Sequence, residues 1–522
     1  MANGAQRVQS IGSLLCGVVL SVGVLRAGVG EAATYYVATT GSDSSTCTQA
    51  QNPSTPKRTI NAALNCLGTA VGAGAGHTVQ VAAGTYAETL DNNLPGGTSW
   101  STPFTLEAAA IGAVTIQPPP GALRCMLIAR ATSQYAIIRG LVCDGVNISY
   151  EGIKISDSSA GAASFIRIQD SEIKNAKRHG LQATRSTDNE FIRVTAHDNG
   201  STDDVDHGIY ISDASHRALI ENSTVYNNHA SGIRVYSSTA PPDGCLVRNN
   251  RAYSNGTNGL AFLATNTLAY NNVIYNNHAA AGNMLGSAKS GIKVGGSSNG
   301  VKLYLNTISG QNANTGDVGI EISSGAANTE VKNNIAYNNV KPLSNSGTNT
   351  LLANNLTTTD PKFVNATNAD FHLQSTSPAI DAGVPLANVP TDYEGATRPQ
   401  GAAYDIGAYE FVSTPVAFDF SLANGGDKTV TQGSSVTNTV TATLVSGTTQ
   451  SVSFTVSGLP AGVGASFAPA TCSPTCTSTL TLSASASTSP NTYTLTVTGT
   501  ATGGLSHSTS FRLTVTAPPP PL

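Results

Sequence analysis

Seven short segments repeat one pattern along the middle of the chain: a glycine, an aliphatic residue, a variable residue, then a small or apolar one. They are "GIKI" (152–155), "GLQA" (180–183), "GIYI" (208–211), "GIRV" (232–235), "GLAF" (259–262), "GIKV" (291–294) and "GIEI" (319–322). Apolar residues two apart share one face of a strand, so each segment predicts a short β-strand with its variable residue on the other face. A second pattern precedes most copies: "IENSTVYNN" (220–228), "VRNNRAYSN" (247–255), "AYNNVIYNN" (269–277) and "VKNNIAYNN" (331–339). These read as further strands separated by Asn-rich turns. Apolar residues nowhere recur at helical spacing through this region.

The glycines at 152, 180, 208, 232, 259, 291 and 319 lie 28, 28, 24, 27, 32 and 28 residues apart. A unit of that size, made of short strands, cannot bury its apolar face alone. Stacking equivalent strands in parallel buries those faces in one core and pairs their backbone edges. The expectation is an all-β chain, a right-handed parallel β-helix solenoid over residues 33–411. Asn at the turns tolerates left-handed backbone and can hydrogen-bond its stacked neighbour. After "VSTP" (412–415) the pattern changes to Val/Thr-rich strands at short spacing, such as "TVTATL", "SVSFTV" and "TYTLTV". Residues 416–516 therefore read as a separate β-sandwich, followed by a proline-rich tail at 517–522.

Composition adds the compartment. Arg7 precedes an apolar run at 11–25, and "GVGEAA" (28–33) supplies small residues for cleavage after Ala32. Residues 1–32 thus read as a secretory signal peptide, with no further long apolar segment and no membrane span in the mature protein. A secreted or cell-surface location follows. Cys47 with Cys66, Cys125 with Cys143, and Cys472 with Cys476 pair locally, and Cys245 is left as a buried thiol. Only 11% of residues are charged and the net charge is −4, so there is no nucleic-acid footprint.

From "TYYVATTGSDSSTCTQ" (34–49) through "KRTINAAL" (57–64) and "HTVQVAAGTYAE" (77–88), the chain resembles the pectate-lyase-like β-helix superfamily. The resemblance implies a short amphipathic helix covering the first coil. It extends to "DFHLQSTSPAIDAG" (370–383), "RP" (398–399) and "DIGAYEF" (405–411). The C-terminal segment resembles bacterial Ig-like modules but lacks the Cys…Trp…Cys core of antibody domains.

If the "GI" strands stack in register, the second residue after each glycine forms an outward column: Lys154, Gln182, Tyr210, Arg234, Ala261, Lys293 and Glu321. Arg234 and Lys293 then lie about 10 Å apart across Ala261. The residues before two of the glycines add His179 and His207. Such a stripe suits an acidic polysaccharide, and equally a non-catalytic carbohydrate-binding or adhesion face. "GIKVGG" with "AKS" before it is similar to the catalytic-lysine segment of polysaccharide lyase family nine. On that resemblance Lys293 is the base in a β-elimination, with Lys289 beside it on the substrate. The family usually neutralises the substrate carboxylate with calcium, bound by aspartates on preceding coils. Here the corresponding coil reads "NGTNGLAF" (255–262), so the expectation passes carboxylate neutralisation to Arg234. Calcium is retained only for the acidic loop Asp203, Asp204 and Asp206. Tyr210 and His207 also resemble the Tyr/His pair of uronan epimerases, which makes epimerisation a minor alternative. Hydrolysis needs paired acids, and the column contains only Glu321.

Overall fold

The computed structural model describes residues 32–158, 161–201, 205–278, 289–413 and 417–519. The segment up to residue 31, on which the signal-peptide expectation falls, lies outside these residues, as do Asp203 and Asp204. The chain divides into two compact units at Val412/Ser413.

The first unit is a right-handed parallel β-helix. Its coils each contribute one strand to three parallel sheets of 12, 10 and 10 strands. The sheet that contains the "GI" strands runs from Leu90–Asp91 to Lys341–Asn345. In it Ile153, Leu181, Ile209, Ile233, Leu260, Ile292 and Ile320 stack as one buried column pointing inward. The glycine that opens each segment is required by the neighbouring coil. A Cβ on Gly291 would lie 2.4 Å from Ile308 Cγ2 and 2.8 Å from the Gly319 carbonyl oxygen.

The doubled asparagines divide two tasks. In "AYNNVIYNN" the first Asn of each pair, Asn271 and Asn276, is left-handed (φ 52° and 49°). The second Asn of each pair is buried and joins a ladder. Asn250, Asn272, Asn306, Asn334 and Asn355 pass amide hydrogen bonds of 2.9–3.0 Å from coil to coil. Asn199, Asn228, Asn255 and Asn277 do the same at the next turn. Each buried amide thus has its partner, which a solenoid interior demands. The tyrosines of the same motif stack outside: His197, Tyr226, Tyr253 and Tyr275 lie ring over ring at 4.6, 5.1 and 4.9 Å.

A third turn, leading into the 12-stranded sheet, is left-handed in nine successive coils. It is occupied by Tyr135, Phe165, Asp188, Arg217, Gly244, Asn266, Gly300, Asn328 and Asn349. Asn, Asp and Gly are the residues this backbone favours; an aromatic there costs about 1–2 kcal/mol. Tyr135 (φ 50°), Phe165 (φ 57°) and Arg217 (φ 53°) are the three bulky exceptions, and the first two are aromatic.

At the N-terminal end a helix, Ile60–Leu64, buries Ile60, Ala63 and Leu64 against the first coil. Thr59 Oγ1 accepts from Ala62 N, and the Glu88 carboxylate accepts from Ile60 N and Asn61 N. At the other end, residues 356–411 fold back along the side of the solenoid. Phe363, Phe371, Ile406 and Tyr409 form a separate apolar cluster with Tyr275 and Ile335. "RP…DIGAYEF" is held by Arg398, whose buried guanidinium donates to Glu410 (2.6 Å), Gly407 O and Asn271 Oδ1.

The second unit has a four-stranded and a five-stranded sheet. Phe420, Val440 and Leu480 from one meet Val452, Leu495 and Leu513 from the other in a core of their own. Disulfides join Cys47–Cys66, Cys125–Cys143 and Cys472–Cys476. Cys245 is a buried free thiol whose burial pushes its pKa up to about 11. Among the described residues, no helix is long and apolar enough to cross a membrane.

Candidate active site

The outward column is in register throughout: Lys154 pairs with Gln182, then Tyr210, Arg234, Ala261, Lys293 and Glu321 on successive strands. Its first half opens into a cleft of about 360 Å³. The lining includes Lys154, His179, Gln182, His207, Tyr210 and Arg234. Glu151, Arg178, Val205, Ser212 and Asp213 complete it. These five were not singled out from the sequence, yet Glu151 precedes Gly152 as His179 and His207 precede their own glycines.

Coil stacking fixes the two histidines. Their rings lie 5.4 Å apart and 12° from parallel, with the Tyr210 ring 4.7 Å from His179 and 5.2 Å from His207. The backbone N–H of His207 donates to His179 Nδ1, and that of Ser231 donates to His207 Nδ1, each at 3.1 Å. A backbone N–H can only donate, so each neutral ring is assigned its proton on Nε2. Both rings stay neutral at ordinary pH. Burial, with help from the Arg178 and Lys154 charges, brings His179 down to about 4 against the pull of Asp206 and Glu151. Burial and the charge of Arg234, with His179, put His207 well below the usual imidazole range.

Arg234 Nη1 lies 3.1 Å from His207 Nε2, and its guanidinium sits 4.0 Å over the Tyr236 ring. A guanidinium also only donates. A neutral imidazole has one acceptor nitrogen, so the contacts from Ser231 and Arg234 compete for it. An anion placed between Nη1 and Nε2–H would accept from both. Burial raises the Tyr210 phenol above its ordinary pKa, with Arg234 opposing. Gln182 donates weakly to Ser212 Oγ (3.4 Å), while its buried Oε1 has no hydrogen-bond partner among the described residues. Burial lowers Lys154 despite Glu151 at 3.7 Å, and the charges of Arg124, Arg178 and Arg185 add to that.

Lys293 is not among the residues lining this cleft. Its Nζ is 3.0 Å from Glu321 Oε1. Burial resists the charge on Glu321, but Ser290 Oγ at 2.7 Å, Lys293 and Ser323 hold its carboxyl below the usual range. Lys293 therefore faces an ionised carboxylate. Lys289 is buried just before the strand Ser290–Val294, its backbone N–H donating to Asp317. Of the acidic loop, Asp206 is described and fully buried. Its carboxylate accepts from Ser201 N at 3.1 Å and faces Arg178 Nε at 3.5 Å. Among the described residues no group of three or more Asp, Glu, His or Cys side chains could hold a metal.

The family model for a right handed beta helix region matches residues 131–308 and 207–382. No curated protein sequence matches the chain. Among solved structures, a Geobacillus virus protein, ORF18, aligns at 16% identity and a TM-score of 0.41. That alignment covers 57% of this chain and 56% of the virus protein. The A-module of an Azotobacter vinelandii mannuronan C-5 epimerase aligns at 17% and 0.38, over 54% of this chain and 91% of that one. Tailspike protein 2 of an Escherichia coli bacteriophage aligns at 11% and 0.34, over 87% and 65%. At these identities the likeness is one of fold.

Proposed function

We propose that the cleft binds an acidic, uronate-containing polysaccharide and removes the proton at C5 of a uronate, cleaving the chain by β-elimination. The observation that carries this reading is the convergence of Arg234, Tyr210 and His207 on neighbouring coils of one cleft. The reacting C5–H is one carbon from the carboxylate, so base and carboxylate clamp must be close neighbours. Tyr210 and Arg234 are one strand apart, about 4.8 Å. Lys154 is three strands from Arg234, roughly 14 Å at the backbone, and Lys293 is two strands away and ion-paired.

In this reading Arg234 and the Nε2–H groups of the histidines bind the substrate carboxylate, where charge grows as the proton leaves. The Tyr210 phenolate takes the C5 proton, and the electron pair spreads into the carboxylate as an enediolate. The C4–O4 bond then breaks, and the departing oxygen takes the proton from the Tyr210 hydroxyl, which restores the phenolate. Gln182 Oε1 is placed to accept from a sugar hydroxyl, and Lys154 and Arg178 to meet a neighbouring uronate. The expectation drawn from lyase family nine, with Lys293 as base, is replaced here by Tyr210. The C-terminal unit is proposed as an Ig-like accessory module of a secreted enzyme.

The test is incubation of the protein with pectin, alginate and glycosaminoglycans in deuterated water, with and without EDTA. Unsaturated ends, read by ultraviolet absorbance, support elimination. C5 deuterium or inversion without cleavage points to epimerisation by the same proton transfer. Neither signal with any polymer leaves a binding face and refutes the catalytic reading. Loss of activity in EDTA would bring calcium back as the carboxylate's partner.

A further inference from the structure

Outside the cleft, the structure gathers the chain's single tryptophan with two aromatic residues that the backbone disfavours. Trp100, Tyr135 and Phe165 come from the turns of three successive coils, where the "GI" sheet hands over to the 12-stranded sheet. Tyr135 and Phe165 stack at 4.7 Å and 17°, and Trp100 meets Tyr135 edge-on at 5.6 Å. The Arg167 guanidinium lies 4.4 Å over the indole and is itself held by Glu190 at 2.7 Å, which fixes the ring's orientation. All three rings are half-buried.

None of the three belongs to any hydrophobic core of the molecule. Tyr135 and Phe165 occupy the left-handed column that takes Asn or Gly in most other coils. A choice made against local backbone preference, on the surface and in two adjacent coils, serves something other than the fold.

We propose that Trp100, Tyr135 and Phe165 form a second carbohydrate-binding platform, separate from the cleft, that takes pyranose units of a polysaccharide chain. Aromatic rings pack against the apolar C–H face of a sugar, and the flanking Arg167–Glu190 pair offers its hydroxyls both donors and acceptors. Phe165 lies in the same coil as the strand Ile153–Ile155 that carries Lys154, but none of the three rings lines the cleft. Its occupant is therefore a stretch of polymer outside the cleft. The platform does not depend on the cleft being catalytic.

Because Trp100 is the only tryptophan, tryptophan emission follows the surroundings of this one ring. The full-length protein is titrated with alginate, polygalacturonate and a neutral glucan while tryptophan emission is followed. A saturable shift with at least one polymer is expected, and no shift with any of them overturns the proposal. The double variant Tyr135→Asn/Phe165→Asn removes both rings and supplies the residue that φ near +50° favours. It should weaken binding at least tenfold with the thermal midpoint unchanged or raised. Unchanged binding with a lowered midpoint would make the rings a structural staple and refute the platform. Arg234→Ala, which disables the cleft, should leave the tryptophan shift in place. A shift abolished by Arg234→Ala would show that the signal comes from the cleft, and the proposal falls with the catalytic reading untouched.

Discussion

Lys293 Nζ lies 3.0 Å from Glu321 Oε1, so the lysine of "GIKVGG" is tied to the carboxylate of the next coil in its own column. That pairing separates two variants. Lys293→Ala leaves Glu321 hydrogen-bonded to Ser290 and Ser323 and should keep polyuronate turnover within about tenfold of wild type. Tyr210→Phe removes the group proposed to carry the proton and should cost about 10²–10⁴-fold in kcat. Steady-state kinetics on the best polymer of the panel decides. A dead Lys293→Ala with an active Tyr210→Phe would return the base to the lysine.

The pH profile should show the same assignment. Burial raises the Tyr210 phenol, and the reactive form is the phenolate. The reactive fraction grows as pH rises toward that raised pKa, so kcat should climb through the alkaline range. An imidazole base held below its usual range would instead give a plateau from neutral pH upward. A flat profile above pH 7 in a protein that cleaves polyuronates would exclude Tyr210 as the base.

Most of the solenoid was legible because its signals are local and repeat. Alternating apolar residues after each glycine place Tyr210, Arg234 and Lys293 on one column, and the register bears that out. What the column does was less legible. Whether side chains two strands apart share a cleft depends on how far each one leans. The proton positions on His179 and His207 depend on backbone N–H groups of the following coils, which no residue pattern reveals. The Lys293–Glu321 pair could have been read, since opposite charges one coil apart in a column attract. Tyr135 and Phe165 gave no turn signal, because aromatic residues do not announce a left-handed backbone.

Acid should weaken the fold through the same cleft. His179 is buried and has a folded-state pKa of about 4, against an ordinary 6.5. Above pH 6.5 the ring is neutral both folded and unfolded, so it has no effect. Between 6.5 and 4 the unfolded chain takes up a proton that the folded chain does not, and stability falls. The loss saturates below 4 at about 3 kcal/mol. Urea midpoints at pH 7 and pH 4.5 should differ more in the wild type than in His179→Asn. Equal differences would show that the ring is solvated in solution.

The fold-back at residues 398–411 should be sensitive to one side chain. Arg398 and Glu410 form an ion pair whose side chains are wholly buried, and the guanidinium also satisfies two backbone carbonyls, Asp405 O and Gly407 O. Removing one partner of such a pair leaves the other charged in a dry site, at a cost of about 3–5 kcal/mol. Arg398→Met should therefore lower the urea midpoint of the β-helix unit, whereas the double change Arg398→Met/Glu410→Gln should recover part of the loss. If the single variant is as stable as wild type, water reaches the pair and the segment is not closed.

The C-terminal unit should prove separable. Phe420, Val440, Val452, Leu480, Leu495 and Leu513 belong to a core that shares no residue with the solenoid's. A domain with its own core folds by itself. A chain shortened to end at Val412 should unfold in one cooperative transition at the midpoint of the β-helix in the full-length protein. It should also keep any polyuronate-degrading activity, since every residue lining the cleft lies between Glu151 and Arg234. Residues 413–522 expressed alone should give a second cooperative transition. Loss of cooperativity in the shortened chain would mean that the two units stabilise each other despite their separate cores.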